Sequence, residues 1–499
     1  MNTFSGIVEQ IGRLFRYDPV NPMIFSSGFF LFLFAGFAFF YGFMRRTPLL
    51  RMIYVALFST YFYYKTGGWY ILLLLAVSVS DFLIGRALAR TENRRGRQAL
   101  VALSVLINLG MLAYFKYTNL FIGIVNDLSG TTIFDFQEIF LPVGISFFVF
   151  QSMSYTIDIY RRQLEPLTCW LDYYFYLSFF PQLVAGPIVR ARDFLPQIRQ
   201  NPLTVTREMF GRGIFLIMIG LIKKAIISDY ISVNFVDRVF DNPMLYSGFE
   251  NLMGVYGYAL QIYCDFSGYS DMAIGIALLL GFRFPKNFDS PYKSATVTEF
   301  WHRWHISLST WLKDYLYISL GGNRKGRLRT YVNLILTMLL GGLWHGASLR
   351  FMLWGGYHGV LLALHKGTMA LFPRMKPVGE SMKRGWRALG ILVTFHLVCL
   401  GWIFFRARDV ETGRMVIEQI FTNFDPSLIA GVASGYWPVM AMMGVGYVTH
   451  FIPQRWQDRV CGAVMRSSLV GCALLLALII WVVMQVKSAN IQPFIYFQF

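Results

Sequence analysis

The sequence predicts an all-α polytopic membrane protein with about eleven hydrophobic segments, some of them re-entrant or broken helices. Of its 499 residues, 56% are hydrophobic and only 14% are charged, whereas soluble domains carry roughly 25% charged residues. Many apolar runs also approach the ~20 residues with which a helix crosses ~30 Å of hydrocarbon. The clearest runs are Ile24–Met44, Tyr70–Ile84, Leu100–Ile124, Ala388–Phe405 and Leu469–Val486.

The apolar runs and the polar stretches between them divide the chain into four regions. Residues 1–23 are predicted to form an interfacial helix, because their apolar side chains share one helical face. Transmembrane spans are predicted over residues 24–125 and again over residues 388–499. Between them, residues 140–366 form a core that is rich in polar residues, glycine and proline. This core is the candidate for the functional site.

Basic residues account for the net charge of +18, and they cluster in short loops beside the apolar runs. Such clusters lie at residues 45–51, 86–97, 324–329 and 383–387. Lys and Arg beside membrane spans mark the cytoplasmic side. The first two clusters therefore place the N-terminus outside, and the first spans then alternate in direction without conflict. The charge marks membrane topology, and no nucleic-acid partner is expected.

Two parts of the central region conflict with a simple spanning helix. The apolar run Tyr173–Val189 is interrupted by Phe180-Pro181-Gln182 and by Ala185-Gly186-Pro187, which predicts a re-entrant segment. The second part, Asp265–Asp271, places two carboxylates in an otherwise apolar span. Because irregular backbone or charge at membrane depth needs protein or a water-filled cavity beside it, we expect a central tunnel.

The segment from Thr296 to Leu320 is rich in aromatic residues and contains two histidines. A helix is predicted to begin at Thr296, because Glu299 follows three residues later in the form of a capping box. The same helix is expected to pair Glu299 with Arg303 across one turn. One aromatic face of that helix would hold Trp301, Trp304, His305, Leu308, Trp311 and Leu312.

His305 on this face points towards protein, either as an active-site residue or as a hydrogen-bonded core histidine. His302 lies three residues earlier, and the two rings could face one ion. Metal sites need further ligands, however, and no nearby acid or thiol completes a set. No metal site is predicted.

His345 is the most informative residue, because it lies between two apolar runs, in Leu343-Trp344-His345-Gly346. A helix rises ~24 Å over the residues from Arg329 to His345, which brings the imidazole deep into the hydrocarbon core. Titratable groups at that depth usually face a cavity, a partner or a substrate. The neighbouring glycines leave room for a substrate or for another helix. The alternative is a histidine hydrogen-bonded within a helix bundle.

A buried histidine without a serine or cysteine nucleophile nearby suits a general base that acts on a substrate hydroxyl. Acyl transfer from a thioester needs such a base, which removes the hydroxyl proton and returns it to the leaving thiolate. The reaction also needs donors for the developing oxyanion. Backbone N–H groups, an asparagine or a tryptophan can supply them.

The chain closely resembles the membrane-bound O-acyltransferase family, in particular its bacterial alginate O-acetyltransferase-like branch. The resemblance covers nearly the whole chain except about the first 20 residues. The segments that carry it are AYFKYTNLF (113–121), LPVGISFFVFQSMSYTIDIYR (141–161), FFPQLVAGPIVR (179–190), GLIKKAIISD (220–229), DFSGYSDMAIG (265–275), EFWHRWHISLSTWLKDYLYISLGGNR (299–324), LTMLLGGLWHG (336–346), FRAR (405–408) and the terminal PFIYFQF.

The resemblance implies a ring of helices around a tunnel, with residues 140–366 as the catalytic core. It implies that His345, in the WHG motif, is the essential histidine, and that His305 is the second active-site histidine. His302 stands where relatives often have another residue, which argues against a catalytic role. Further motif positions, expected to bind substrate or line the tunnel, are Trp304, Arg303, Asp265, Asp271, Lys313, Asp314, Asn323 and Trp344.

The resemblance also implies a function in the bacterial inner membrane. An acyl group, most simply acetyl, would pass from a cytoplasmic thioester donor such as acetyl-CoA towards hydroxyls of a cell-envelope polysaccharide. Periplasmic partners of esterase-like fold would complete the transfer, and no bound cofactor is expected. One alternative is transfer of D-alanyl or another acyl group from a carrier protein to teichoic acid or peptidoglycan. A proton-coupled transporter is less favoured, because the sequence shows no internal repeat.

Overall fold

The computed structural model describes residues 12, 14–19, 22–184, 186–201, 203–372 and 380–486. Within these residues every regular element is helical and no strand occurs, which confirms the all-α class. The predicted interfacial helix at residues 1–23 lies largely outside the described residues, as does the terminal PFIYFQF motif. The described chain separates into two compact units.

Four helices are long and apolar enough to cross a membrane, and a bent pair of helices would make a fifth span. The first is Pro48–Arg90, in which the short turn Gly68–Tyr70 joins the helices Pro48–Gly67 and Ile71–Arg90. The others are Arg94–Ser129, Lys383–Arg406 within helix Glu380–Arg406, and Leu469–Val486. The bent pair, Pro426–Gly435 and Trp437–Phe451, turns by 91° at its break. The described residues therefore support a polytopic membrane protein with four or five candidate spans. The expected count of about eleven segments and the central tunnel stay predictions.

The first unit comprises residues 1–213 and 272–285. Its helices are Gly28–Met44, Pro48–Gly67, Ile71–Arg90, Arg94–Ser129, Ile145–Tyr160, Trp170–Ser178, Phe180–Leu183, Ala191–Ile198 and the start of Arg207–Leu221. A buried carboxylate, Asp81, joins several of these helices. It accepts hydrogen bonds from Ser104 Oγ at 2.7 Å, from Asn108 Nδ2 at 2.6 Å and from Ser152 Oγ. These donors take the place of water around the carboxylate.

The apolar run that begins near Tyr173 is broken as the sequence predicts. Helix Trp170–Ser178 ends at Phe179, and the short helix Phe180–Leu183 follows at once. Pro181 lies in the first turn of the short helix. Proline is tolerated there because the N–H groups of the first turn have no acceptor within the helix. The side chains of both helices are almost entirely buried, so protein surrounds the irregular backbone at the break.

The second unit comprises residues 214–271 and 286–499 and contains all the predicted site residues. It includes the helices Gly248–Leu279, Val297–Arg303, Ile306–Trp311, Arg327–His345, Leu349–Leu371, Glu380–Arg406, Val410–Thr422, Ile429–Gly435, Trp437–Phe451, Gln454–Arg466 and Leu469–Val486. Shorter helical segments are Asp229–Ile231, Asp237–Asp241, Pro243–Leu245, Pro291–Lys293 and Pro426–Leu428, and π-helical turns lie at Ile222–Ser228, Ser232–Val236 and Leu312–Tyr317.

Two helices of the second unit, Arg327–His345 and Leu349–Leu371, pack as a tight hairpin. A Cβ atom on Gly342 would lie 2.2 Å from the carbonyl oxygen of Phe351 and 3.0 Å from the Cα atom of Gly355. The sequence alone leaves open whether these glycines make room for a substrate or for another helix. At Gly342 the structure shows close packing of another helix. The hairpin fixes the position of His345, which is the last residue of its first helix.

The prediction that one helix begins at Thr296 and carries the residues from Trp301 to Leu312 is wrong. The helix does begin at Thr296, whose Oγ1 accepts the N–H of Glu299 at 3.1 Å, but it ends at Arg303. Trp304 is extended, and His305 adopts the left-handed conformation with φ 43° and ψ 55°. A second helix, Ile306–Trp311, follows. The aromatic face that a continuous helix would have formed is consequently divided between two helices.

Candidate active site

The break at His305 is stabilised by Asn287, a residue distant in sequence. The backbone carbonyl of Asn287 accepts the N–H of Ile306 at 2.9 Å. Its side-chain Oδ1 accepts the backbone N–H of Ser307 at 3.2 Å and the Ser307 hydroxyl at 2.8 Å. The first N–H groups of a helix have no partner within the helix. Asn287 therefore supplies the bonds that a continuous helix would have made.

The same asparagine holds the imidazole of His305, which is completely buried. His305 Nδ1 lies 3.2 Å from Asn287 Oδ1. The backbone N–H of Ser307 donates to this atom, which identifies it as the amide oxygen. Because an amide oxygen only accepts hydrogen bonds, Nδ1 is assigned as the protonated nitrogen that donates to it. Nε2 then carries a lone pair, and it has no hydrogen-bond partner among the described residues. This nitrogen can accept a hydrogen bond or a proton from a substrate.

His345 occupies the end of its helix and is 4% exposed. Its ring lies 4.9 Å from that of Trp344 and 5.1 Å from that of Trp354, measured between centroids. Phe405 closes a third side at 5.3 Å. The prediction that His345 is a deeply buried helical residue is confirmed. Its apolar surroundings exclude bulk water, so that a proton transfer there takes place in a medium of low polarity.

Trp344 connects the two histidines. Its ring centroid lies 6.2 Å from that of His305 and 4.9 Å from that of His345. The structure therefore brings together both predicted histidines and one of the predicted site tryptophans. An imidazole can accept the proton of a hydroxyl, and both imidazoles lie against the same indole ring.

Trp304 and Arg303 support this site from its edge. Trp304 is 1% exposed and packs against Phe288 at 5.1 Å and Trp402 at 4.9 Å. The predicted pair of Arg303 with Glu299 is present, with Nε 3.0 Å from Oε1. Arg303 Nη1 also donates to the backbone carbonyl of Asp289 at 3.0 Å. In the structure, Arg303 holds the first short helix against the loop that carries Asn287.

The two carboxylates in the apolar span, Asp265 and Asp271, lie in the continuous helix Gly248–Leu279. Each is paired with a lysine. Asp265 accepts from Lys224 Nζ, and Asp271 Oδ2 lies 2.7 Å from Lys223 Nζ. The backbone here remains helical, and charge compensation accounts for both acids. Lys223 and Lys224 lie in the quoted GLIKKAIISD motif, but the sequence offered no signal for these pairs.

The remaining predicted residues lie nearer the protein surface. Lys313 and Asn323 are exposed and Asp314 is half-buried. Asn323 Oδ1 accepts a hydrogen bond from Lys366 Nζ at 2.9 Å and another from the Tyr317 hydroxyl. These residues border the basic loop at 324–329.

A metal site at His302 and His305 has no support in the geometry. His302 is exposed whereas His305 is completely buried, because the helix ends between them. Within the described ranges, no group of three His, Cys, Asp or Glu side chains is arranged to hold a metal ion.

Residues that the sequence did not single out also shape the site. Asn287 fixes His305, and its own Nδ2 donates to Ser270 Oγ at 3.1 Å. Trp354 and Phe405 enclose His345. Asn287 lies outside every motif quoted above, and its role depends on a contact that no spacing rule reveals.

Comparison of the whole sequence with known proteins shows which families and proteins the chain is similar to. The sequence model of the membrane-bound O-acyltransferase family (MBOAT) matches residues 129–417, more than half of the chain. "Probable alginate O-acetylase" of Pseudomonas aeruginosa is 40% identical over 410 residues, which cover 80% of this chain and 75% of the relative. "Peptidoglycan O-acetyltransferase" of Helicobacter pylori is 35% identical over 428 residues, covering 80% of each chain. "Teichoic acid D-alanyltransferase" of Bacillus subtilis is 28% identical over 280 residues, covering 53% of this chain and 69% of the relative.

Proposed function

Because the chain belongs to the membrane-bound O-acyltransferase family, we propose that it passes an acetyl group from a cytoplasmic thioester towards hydroxyls of a bacterial cell-envelope polysaccharide. Two relatives that match about 80% of the chain are named for O-acetyl transfer, one to alginate and one to peptidoglycan. We place the active site at His305 and His345 because both are buried and both lie against Trp344.

In the proposed reaction, His345 acts as general base. A ring nitrogen accepts the proton of the acceptor hydroxyl while the hydroxyl oxygen bonds to the thioester carbonyl carbon. The carbon–sulfur bond then breaks, and the imidazolium returns the proton to the leaving thiolate. Atoms and charge balance with one histidine, so the scheme requires no serine or cysteine nucleophile and no bound cofactor.

His305 has a different part in this scheme, which its hydrogen bonds support. Asn287 keeps Nδ1 protonated and directs the Nε2 lone pair away from itself. Nε2 then accepts a hydrogen bond from the acceptor hydroxyl and orients its oxygen towards the thioester. The indole of Trp344 limits where the hydroxyl can lie between the two imidazoles.

The proposed donor is acetyl-CoA, which enters from the cytoplasm. The basic loop at 324–329 and the exposed residues Lys313 and Lys366 offer several positive charges. Arginine and lysine bind phosphate oxygens through charge-assisted hydrogen bonds, which suits the phosphates of CoA. In the inner membrane, with these loops in the cytoplasm, the acceptor side faces the periplasm. Esterase-like periplasmic partners would receive the acetyl group there.

A second candidate is transfer of a D-alanyl group from a carrier protein. The similarity to the teichoic acid D-alanyltransferase favours it, but that similarity is lower and covers only 53% of the chain. The same basic loop would then dock an acidic carrier protein. Dependence of the reaction on a purified carrier protein, with no reaction from acetyl-CoA, would favour this candidate.

The test is the ester-linked acetyl content of envelope glycans in a deletion strain. The strain is complemented with wild type, His345→Ala or His302→Ala at matched membrane levels. We expect acetyl esters with wild type and with His302→Ala, whose imidazole is exposed, and none with His345→Ala. Acetyl content unchanged by deletion would contradict acetyl transfer. Acetyl content restored by His345→Ala would remove this residue from the mechanism.

A further inference from the structure

Three more aromatic side chains form a buried cluster next to His345. Trp301 lies on helix Val297–Arg303, and Trp354 and His358 lie one turn apart on helix Leu349–Leu371. The centroid distances are 5.8 Å for Trp301 to Trp354, 5.3 Å for Trp301 to His358 and 5.0 Å for Trp354 to His358. Trp354 is the member that contacts His345, at 5.1 Å.

All three side chains carry buried nitrogen atoms without a hydrogen-bond partner among the described residues. These atoms are Trp301 Nε1, Trp354 Nε1 and both ring nitrogens of His358. The side chains are 8%, 1% and 0% exposed in that order. Leaving a buried polar group unsatisfied costs about 1–3 kcal/mol, and such groups are rare in native proteins. Three of them in mutual contact beside a candidate base point to a ligand.

The chemistry of the cluster specifies what that ligand must offer. An indole Nε1 is a donor and never an acceptor, so the ligand must bring an acceptor oxygen. His358 can also donate from one of its nitrogens. A Cβ atom on Gly401 would lie 2.8 Å from His358 Nε2, so only a glycine lets helix Glu380–Arg406 approach the imidazole this closely. The rest of the neighbourhood is aromatic, including Trp402, whose ring stacks on Trp354 at 5.9 Å.

We propose that Trp301, Trp354 and His358 bind the carbonyl oxygen of the acyl group through their N–H donors. This proposal rests on the proposed function. As the acceptor oxygen attacks, the carbon–oxygen double bond of the thioester becomes a single bond and negative charge develops on that oxygen. Donors placed beforehand in a site without bulk water stabilise this charge. The cluster thereby acts on the acyl donor, while His345 and His305 act on the hydroxyl.

The test compares tryptophan variants that lose an indole N–H. Trp354→Phe and Trp301→Phe remove the donor and keep an aromatic ring. Trp402→Phe is the matched control, because it belongs to the same cluster of rings but its Nε1 already donates to the Tyr292 hydroxyl at 3.2 Å. Each purified full-length variant is assayed for transfer from acetyl-CoA, and its thermal unfolding is measured in the same detergent.

We expect Trp354→Phe to lower kcat by about 100-fold, as loss of one oxyanion donor does elsewhere, with KM for acetyl-CoA changed less than threefold. Trp301→Phe should also lower kcat by at least tenfold. Neither should lower Tm by more than Trp402→Phe, which should keep kcat within twofold of wild type. If the cluster holds only a structural water, the two variants will lower Tm and keep kcat, and the proposal is overturned.

A fourth variant, His345→Ala, separates this inference from the proposed function. Loss of activity in His345→Ala together with full kcat in Trp301→Phe and Trp354→Phe would refute the carbonyl site alone. Full activity in His345→Ala would instead refute the base mechanism on which the inference rests, whatever the tryptophan variants do.

Discussion

Replacing Lys224 with methionine should destabilise the protein far more than the same replacement at Lys223. The two lysines are neighbours in sequence and each pairs with an aspartate of helix Gly248–Leu279. Their surroundings differ. The side chains of Lys224 and Asp265 are each 2% exposed, whereas those of Lys223 and Asp271 are 22% and 21% exposed. Lys224 also lies 2.8 Å from a second carboxylate, Asp229.

The magnitudes follow from burial and from the number of charges left behind. Removing one partner of a buried ion pair costs about 3–5 kcal/mol, because the other charge remains without compensation. Lys224→Met leaves two carboxylates, of which Asp265 is almost inaccessible to water, so we expect a loss of about 4 kcal/mol. Lys223→Met leaves one carboxylate that is only partly buried, so we expect a loss of about 1 kcal/mol.

The assay is unfolding of the purified protein in detergent by heat or denaturant. Wild type, Lys223→Met, Lys224→Met and the double variant Lys224→Met/Asp265→Asn are compared. The double variant should recover about half of the loss, because the neutral amide removes one of the two uncompensated charges. Equal losses in the two lysine variants, or no recovery in the double variant, would refute the argument from buried charge.

Further predictions concern the backbone around the two histidines. Asn287→Ala should lower acyl transfer at least tenfold and reduce the free energy of unfolding by about 4 kcal/mol, because four side-chain hydrogen bonds are lost. Transfer assays and unfolding measurements check this, and full activity would contradict it. Gly342→Ala should destabilise the hairpin by about 1–3 kcal/mol, because its Cβ would lie 2.2 Å from a carbonyl oxygen. Gly356→Ala is the control, since its Cβ would meet nothing closer than 3.6 Å, and equal unfolding midpoints for the two variants would contradict the prediction.

Features that depend on local sequence were predictable. The helix that carries His345 follows from an apolar run bounded by basic residues and glycines, and the structure has it at Arg327–His345. The N-cap at Thr296 and the pair of Glu299 with Arg303 follow from spacings of three and four residues, and both are present. Burial of His305 was also predicted, and its ring is completely inaccessible.

Features that depend on long-range contacts were not predictable from spacing. The periodicity of Trp301, Trp304 and Leu308 is compatible with one helix, yet the chain breaks at Trp304 and His305. The break requires Asn287, which is eighteen residues away from His305. In the same way, the sequence shows the carboxylate of Asp265 in an apolar run but does not reveal that Lys224, forty-one residues distant, pairs with it. A carboxylate in an apolar helix shows that its negative charge must be compensated, but the sequence does not identify the group that compensates it.

The position of His305 results from a balance that can be worked out from the backbone. A left-handed conformation costs a non-glycine residue roughly 1–2 kcal/mol, and His305 has φ 43°. Against this, the carbonyl and Oδ1 of Asn287 accept four hydrogen bonds from His305, Ile306 and Ser307, each worth about 1 kcal/mol net. Without the Asn287 side chain, only the hydrogen bond from the Ile306 N–H to the Asn287 carbonyl remains. Its stabilisation of about 1 kcal/mol no longer exceeds the cost of the left-handed conformation of His305. The continuous helix that the sequence pattern favours then becomes competitive, and it would carry the His305 ring away from Trp344. The strained backbone of this histidine and its position beside Trp344 therefore depend on the same asparagine.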